Sequence, residues 1–140
     1  MKMKQMSLEL DREDVVREFN LYFQHPVDTE WTKETLEFRM KLLREEVKEL
    51  EDAVKDIYES PYEGCEAAML KEMADVQYVL SGMAVTLGLH LTEAFLRVHR
   101  SNLTKLGDDM LPIKRDDGKV LKGPNYKEPD LNDLVTKRHL

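Results

Sequence analysis

A chain of 140 residues is long enough for one ordinary domain and too short for two, so we predict a single domain over residues 1–140. Its 28 acidic side chains outnumber the 21 basic ones, and the net charge of −7 argues against binding polymeric nucleic acid, which needs a basic surface. No apolar run approaches the roughly 18 residues of a membrane span, and no hydrophobic signal segment is visible, so we expect a cytoplasmic protein without a membrane partner.

The first two predicted helices are amphipathic. Helix one extends from about Asp11, its N-cap, to Tyr22, and it ends before Pro26 because the residue preceding proline avoids helical dihedral angles. Helix two extends from about Thr32, a second N-cap, to Tyr58. Its apolar residues recur every three or four positions and the remaining positions are mostly charged, which is typical of a helix with one buried face.

The third predicted helix, from about Glu66 to Leu87, is apolar around most of its circumference. Such a helix is buried in a core or between subunits. The single cysteine, Cys65, precedes it and can form neither an internal disulfide nor a cysteine metal cage, so we interpret it as structural. A fourth helix, which we predict to be capped by Thr92, extends to about Lys105.

After the helical core, which we place at about residues 11–105, a loop-rich tail follows at 106–140. Asp117-Gly118 is a type I′ turn signal and predicts a small hairpin. Asp130 predicts the cap of a short terminal helix that ends near His139. The tail also contains a basic cluster made of Lys114, Arg115, Lys119 and Lys122. The sequence therefore predicts an all-α fold of about four main helices with a loop-rich C-terminal tail.

Two of the predicted helices carry acidic residues at helical spacing. In helix two, Glu45 and Glu49 are one turn apart, and Glu46 lies three residues before Glu49. In the most apolar helix, Glu72 and Asp75 are three residues apart. Buried carboxylates are rare unless they are paired or bind a metal, and a hard divalent cation would satisfy all five. Oxygen-only ligation suits Mg²⁺, with Mn²⁺ as a substitute; a solvated acidic face is the alternative.

Two further features complete a chemical pattern. Asn102 and Lys105 lie one turn apart at the end of helix four, and an amide with an ammonium group suits a phosphate oxygen. A lysine near a helix C-terminus also simply complements the helix dipole. Metal ligands, phosphate-binding groups and a basic tail together are what the hydrolysis of a phosphoanhydride requires.

Several stretches of the chain occur in an order that is typical of one family. They are R-x-x-L-L-x-E-E from Arg39, E-E-x-x-E from Glu45, E-x-x-D from Glu72, A-D-V-x-Y from Ala74, V-H-R-x-N-L-x-K from Val98 and R-x-D-G-K-x-x-K from Arg115, followed by Pro124, Tyr126 and Pro129-Asp130. Over roughly residues 15–132 the chain resembles the all-α NTP pyrophosphohydrolases, which include MazG, dimeric dUTPases, dCTP pyrophosphatases and phosphoribosyl-ATP pyrophosphohydrolases. Within this superfamily it is similar to the MazG-like, phosphoribosyl-ATP-pyrophosphohydrolase-like branch.

The resemblance implies a MazG-like helical bundle completed by dimerisation, as a homodimer or a dimer of dimers. It implies Mg²⁺-dependent cleavage of a nucleoside triphosphate to a monophosphate and pyrophosphate, in nucleotide-pool control or house-cleaning. One alternative is a phosphoribosyl-ATP pyrophosphohydrolase of histidine biosynthesis, and another is a non-catalytic helical dimerisation or regulatory module. The base also stays open between dUTP, dCTP and a purine triphosphate.

The same resemblance implies roles for individual residues. The metal ligands would be Glu45, Glu46, Glu49, Glu72 and Asp75. Glu45 and Glu46 are the catalytic candidates, with Glu45 either a further ligand or the base on the attacking water. The candidates for binding the substrate phosphates and closing over them are Asn102, Lys105, Arg115, Lys119 and Tyr126. His25 and Trp31, in the loop after helix one, are candidates for stacking on the base.

Overall fold

The computed structural model describes residues 11–135, which form four α-helices and one short 3₁₀ turn. The helices are α1 Arg12–Tyr22, α2 Lys33–Glu59, α3 Cys65–Leu87 and α4 Leu91–Leu103, and the 3₁₀ turn is Asn132–Leu134. Within residues 11–135, extended pairing is limited to one isolated antiparallel bridge. The predicted all-α fold with four main helices is therefore confirmed.

The described residues divide into two compact units after Leu89. The first unit contains α1, α2 and α3, and the second begins at His90 and contains α4 and the tail. The single domain over residues 1–140 stays a prediction. No single helix in the described part of the chain is long and apolar enough to cross a membrane.

Two of the predicted N-caps are confirmed. The Asp11 carboxylate accepts a hydrogen bond of 3.0 Å from the backbone N–H of Glu13. The Thr32 hydroxyl oxygen accepts one of 3.1 Å from the backbone N–H of Thr35. Each side chain satisfies one of the N–H groups that the first turn of a helix leaves without an intrahelical partner.

The predicted cap at Thr92 is wrong. Helix α4 begins at Leu91, and its N-cap is His90, whose carbonyl accepts the N–H of Ala94 at 3.1 Å. The physical reason lies at the end of α3, where Gly88 adopts a left-handed conformation with φ of +66°. Helix α3 ends at this glycine cap and α4 starts three residues later at Leu91, so Thr92 falls inside the first turn of α4.

Helix α3 is the central helix of the first unit and packs against both α1 and α2. Its last two turns, from Ser81 onward, are mostly buried, with Val85 and Leu87 each 1% exposed. Its N-terminal half is not, since Leu70 remains 64% exposed and Met73 is also exposed. Within one chain, the burial that the sequence predicts for this helix therefore holds for its last two turns.

The last carbonyl groups of α3 are satisfied from outside the helix. The donors are Leu89 N to Ala84 O at 2.9 Å, Asp28 N to Val85 O at 3.0 Å, Thr29 N to Thr86 O at 2.9 Å and Trp31 Nε1 to Leu87 O at 2.8 Å. Three of these donors belong to the loop between α1 and α2. This loop is therefore fixed against the end of α3, because a buried helix end needs partners for its carbonyls.

The hairpin in the tail has a different turn from the predicted one. A type I′ turn needs a positive φ at both Asp117 and Gly118, and of these two residues only Gly118 has it, at +87°. The N–H of Gly118 bonds to the carbonyl of Arg115, and the N–H of Arg115 bonds to the carbonyl of Lys119, both at 2.8 Å. This is a three-residue loop in which a turn is followed by a left-handed glycine. The hairpin prediction holds and the type I′ assignment is wrong.

The end of the tail is described up to residue 135. The Asp130 carboxylate accepts the N–H of Asn132 at 3.0 Å, and the 3₁₀ turn Asn132–Leu134 follows it. The terminal helix was expected to end near His139, which lies outside the described residues.

Candidate functional site

The carboxylates of the candidate site come from two helices that pack on each other. Glu46 shares one face of α2 with Leu43, Leu50 and Ala53, at intervals of three or four residues, and Ala53 is buried. This apolar stripe turns Glu46 toward α3. On α3, Glu72 and Asp75 are three residues apart and therefore lie on one face of that helix.

Three carboxylates meet between α2 and α3. Glu46, Glu72 and Asp75 each offer one oxygen atom, and these atoms lie within 4.8 Å of one another. All three side chains are half-buried. The Oε2 atoms of Glu46 and Glu72 are buried and have no hydrogen-bond partner in the part of the chain that the structure describes. We call these three residues the carboxylate cluster.

The carboxylate cluster is electrostatically unfavourable by itself. Burial raises the pKa of Glu46 above its ordinary value, and the negative charges of Glu49 and Asp75 raise this pKa further. One cation approaches from the solvent side, where the Lys71 ammonium lies 2.7 Å from Asp75 and 3.4 Å from Glu72. The Lys71 side chain is 67% exposed, so this pair is well screened and leaves the inner oxygens uncompensated.

The residues of the carboxylate cluster fit a divalent cation. A buried carboxylate oxygen without a hydrogen bond is rare in folded proteins and indicates a missing partner, such as an ion. The donors are oxygen atoms only, which is the ligand chemistry of Mg²⁺ and Mn²⁺. Glu46, Glu72 and Asp75 are therefore the residues that could hold the metal.

The other two predicted ligands lie beside the cluster on α2. Glu45 and Glu49 are exposed and, with Lys41, Arg44 and Lys48, line a shallow depression on the helix surface. Glu49 acts on the cluster through its effect on the pKa of Glu46. Glu45 is not among the three carboxylates that meet.

All five of the predicted phosphate-binding residues belong to the second unit. Asn102 is exposed in the last turn of α4, and Lys105 follows two residues after the helix ends. The ammonium of Lys105 lies 6.0 Å from the ring centroid of Tyr126. Lys122, which the sequence showed only as part of a basic cluster, lies closer, at 4.7 Å. Two positive charges thus flank one aromatic ring.

The position of Tyr126 is fixed by its neighbour in the chain. The Ser101 hydroxyl donates to the carbonyl of Lys127 at 2.6 Å, and the N–H of Lys127 donates to the Thr104 hydroxyl at 2.9 Å. These bonds tie the tail to the end of α4 and hold the Tyr126 ring next to Lys105.

Arg115 and Lys119 lie in the hairpin of the tail. The Nε atom of Arg115 donates to Asp117 at 2.9 Å, and a second bond joins the same two side chains. This pairing lowers the pKa of the Asp117 carboxyl. The guanidinium of Arg115 is therefore already engaged within the turn, whereas Lys119 is exposed at its end. Substrate contacts by both residues stay predictions.

The two candidates for base stacking differ in their surroundings. Trp31 is half-buried, and its indole N–H donates to the carbonyl of Leu87 at 2.8 Å. His25 is exposed, and its ring lies 5.8 Å from the ring of Phe19. Trp31 is thus part of the loop that satisfies the end of α3, while His25 presents a ring to solvent.

Replacing Trp31 by phenylalanine should lower the stability of the protein by about 1–3 kcal/mol, because it removes the donor to the Leu87 carbonyl at a buried helix end. Chemical denaturation of the two proteins measures this difference. Trp31→Phe keeps an aromatic ring, so its KM for the substrate should stay close to the wild-type value. An unchanged stability together with a raised KM would indicate stacking on the base instead.

Comparison with known proteins agrees with this geometry. Residues 16–102 match the family model described as phosphoribosyl-ATP pyrophosphohydrolase. The match covers more than half of the chain and includes α2, α3 and every member of the carboxylate cluster, and it ends at Asn102, before the tail. No curated protein matches the chain. The chain belongs to the phosphoribosyl-ATP pyrophosphohydrolase family, within the all-α MazG-like NTP pyrophosphohydrolase superfamily.

Proposed function

We propose that this chain cleaves a nucleoside triphosphate between its α and β phosphates and releases a monophosphate and pyrophosphate, with Mg²⁺ or Mn²⁺ held by the carboxylate cluster. Family membership supports an enzyme that acts on a phosphoanhydride bond. The observation that carries the proposal is the meeting of three carboxylates within 4.8 Å, two of them with a buried oxygen that has no partner among the described residues.

The residues of the first unit would divide the chemistry between them. Glu46, Glu72 and Asp75 would hold the metal, which when bound would stabilise the charge that develops on the phosphoryl oxygens. Glu45, an exposed carboxylate next to Glu46 in the chain, is the candidate base that accepts a proton from the attacking water. Its alternative role is that of a further ligand, together with Glu49.

For the second unit we propose a phosphate-binding role centred on Lys105, Lys119 and Tyr126, with Asn102 as a further donor. The support is the ammonium groups of Lys105 and Lys122 beside the Tyr126 ring and the hydrogen bonds that hold this ring in place, while Lys119 and Asn102 are included because the resemblance implies them. Cations held in fixed positions bind a phosphate group better than mobile ones, because less conformational freedom is lost on binding.

A second candidate substrate is phosphoribosyl-ATP, and the description of the matching family favours it. Both substrates contain a triphosphate, and cleavage at the α–β bond releases pyrophosphate from either. The carboxylate cluster would act in the same way on both. The difference lies in the groups that recognise the base and the second ribose.

We also propose that the chain works as a homodimer. The support is an apolar groove between α1 and α3, whose lining includes Val15, Leu70, Met73 and Tyr78, all exposed in the single chain. Contiguous exposed apolar surface of this kind marks an interaction site in soluble proteins. Light scattering should therefore give a mass in solution of twice the chain mass of 16.4 kDa.

A panel of substrates tests the proposed activity. With Mg²⁺ or Mn²⁺ present, dUTP, dCTP, purine triphosphates and phosphoribosyl-ATP are each assayed for monophosphate and pyrophosphate, and EDTA should abolish the release. Cleavage of phosphoribosyl-ATP alone would select the second candidate. Release of orthophosphate would move the cut to the β–γ bond and contradict the proposal. If none of these substrates is cleaved and the metal does not raise the Tm, the chain would instead be a non-catalytic helical module.

A further inference from the structure

Arg39 on α2 is a buried cation without a counter-charge in residues 11–135. Its side chain belongs to a residue that is only 5% exposed. Within those residues, neither an ion pair nor a hydrogen bond links its guanidinium to another group, and the Phe38 ring lies 5.7 Å away. Its Nη1 atom lies beside Gly82 of α3, 3.5 Å from where a Cβ atom would be.

An unpaired charge in this position requires an explanation. Charged side chains are almost never fully buried unless they are paired, because their desolvation is costly. Burial lowers the pKa of Arg39, yet an arginine does not lose its proton in proteins. The positive charge therefore persists, and an anion from outside the described chain is the partner that would compensate it.

The position of Arg39 relates it to the carboxylate cluster. Arg39 precedes Glu46 by seven residues, so both lie on the same face of α2, two turns or about 10 Å apart along the axis. On α3, Gly82 follows Asp75 by the same seven residues. The guanidinium and the carboxylate cluster thus lie along one contact line between α2 and α3, at a separation longer than a single phosphate group.

The chemistry of the Arg39 guanidinium and of the carboxylate cluster suggests that both bind the same ligand. A guanidinium matches a phosphate through two parallel hydrogen bonds, and a metal-loaded carboxylate cluster also attracts phosphate. We propose that Arg39 binds a substrate phosphate that is not part of the cleaved bond. The γ-phosphate of a triphosphate and the 5-phosphate of a phosphoribosyl group are the two sources of this chemistry. The inference rests on the proposed function, since it assumes that the phosphates of the cleaved bond bind at the carboxylate cluster.

The test compares Arg39→Met with Lys55→Met, which removes an exposed cation from the same helix and is the matched control. Binding of Mg²⁺ alone, and of inorganic tripolyphosphate with Mg²⁺, is measured by calorimetry. Arg39→Met should bind tripolyphosphate at least about tenfold more weakly, while its affinity for Mg²⁺ stays unchanged. The Tm of the ligand-free variant should not fall, because an apolar side chain replaces a buried unpaired charge. Lys55→Met should bind Mg²⁺ and tripolyphosphate as tightly as the wild type does.

Two further measurements identify which phosphate Arg39 binds and allow for an Arg39→Met variant that does not fold. Ribose 5-phosphate is titrated in parallel, and loss of its binding with retained tripolyphosphate binding would assign Arg39 to a phosphoribosyl group. If Arg39→Met does not fold, Arg39→Lys decides, because it keeps the charge and loses the two-pronged geometry. Weaker phosphate binding by Arg39→Lys with normal Mg²⁺ binding would support the inference, and unchanged binding would overturn it.

Two results would overturn the inference directly. In the first, Arg39→Met binds both phosphate probes as tightly as the wild type does. In the second, light scattering shows that Arg39→Met changes the mass in solution, so that the missing anion belongs to another copy of the chain. The proposed function fails separately, by absence of turnover on the substrate panel, because these binding measurements do not require catalysis.

Discussion

Replacing Glu72 by glutamine should reduce pyrophosphate release by about 100-fold or more while the protein remains folded. Glutamine keeps the shape of the side chain and removes the charge of an oxygen that is buried without a partner in the described residues. The cation would lose one anionic ligand of three. The metal-free variant should also have a raised Tm, because Glu72 is one of the charges that raise the pKa of Glu46. Turnover and thermal unfolding in EDTA measure the two effects.

A loss of turnover together with a raised Tm in the metal-free variant identifies a metal site. Glu51→Gln removes an exposed carboxylate from α2 and is the matched control, for which neither turnover nor Tm should change. A structural carboxylate would show the opposite pattern, with stability lost on substitution. Near-normal turnover in Glu72→Gln would contradict the assignment of the carboxylate cluster.

The stability of the metal-free protein should fall as the pH rises through the titration range of Glu46. Its pKa in the folded chain lies above the ordinary value that the unfolded chain has, so the folded state holds more protons than the unfolded state between these two pKa values. Stability therefore decreases with pH in that window. Comparing the Tm of wild type and Glu46→Gln across this range in EDTA isolates the contribution, which should vanish in the variant.

Adding Mg²⁺ should reverse this dependence, because the ion binds the ionised carboxylates. At a free concentration of about 100 times Kd, the ion would stabilise the folded state by about 2.7 kcal/mol. The gain should grow with pH in the wild type and be much smaller in Glu46→Gln. Two results would show that the three carboxylates do not bind the ion. Either Mg²⁺ does not change the Tm, or the difference in Tm gain between the wild type and Glu46→Gln does not change with pH.

The acidic residues show which parts of the candidate site could be predicted from helical spacing alone. Spacing placed Glu72 and Asp75 on one face of α3, and the structure brings them to Glu46. It could not decide which of the adjacent residues Glu45 and Glu46 faces α3, because either lies within reach of Glu49. The apolar stripe through Leu43, Leu50 and Ala53 contains that information, since Glu46 lies on it and Glu45 does not.

Other features depend on contacts that are distant in sequence. Trp31 was predicted to be available for stacking, and the carbonyl it satisfies belongs to Leu87, which is 56 residues away. The Asp117-Gly118 signal predicted a hairpin, but the register of the pairing decides whether both residues or only the glycine adopt a positive φ. Arg39 appeared in the sequence only within the R-x-x-L-L-x-E-E stretch, and its burial without a partner in residues 11–135 became apparent only with the fold.

The burial of Cys65 gives the protein an internal reporter. The chain has one cysteine, it is the first residue of α3, and it is only 3% exposed. An alkylating reagent can reach this thiol only when the start of α3 opens, so the rate of modification measures that opening without interference from a second thiol. Since Glu72 lies two helical turns further along α3, a bound cation would slow the reaction. The occupancy of the carboxylate cluster can therefore be followed without a substrate, through the alkylation rate of a residue that the chain already contains.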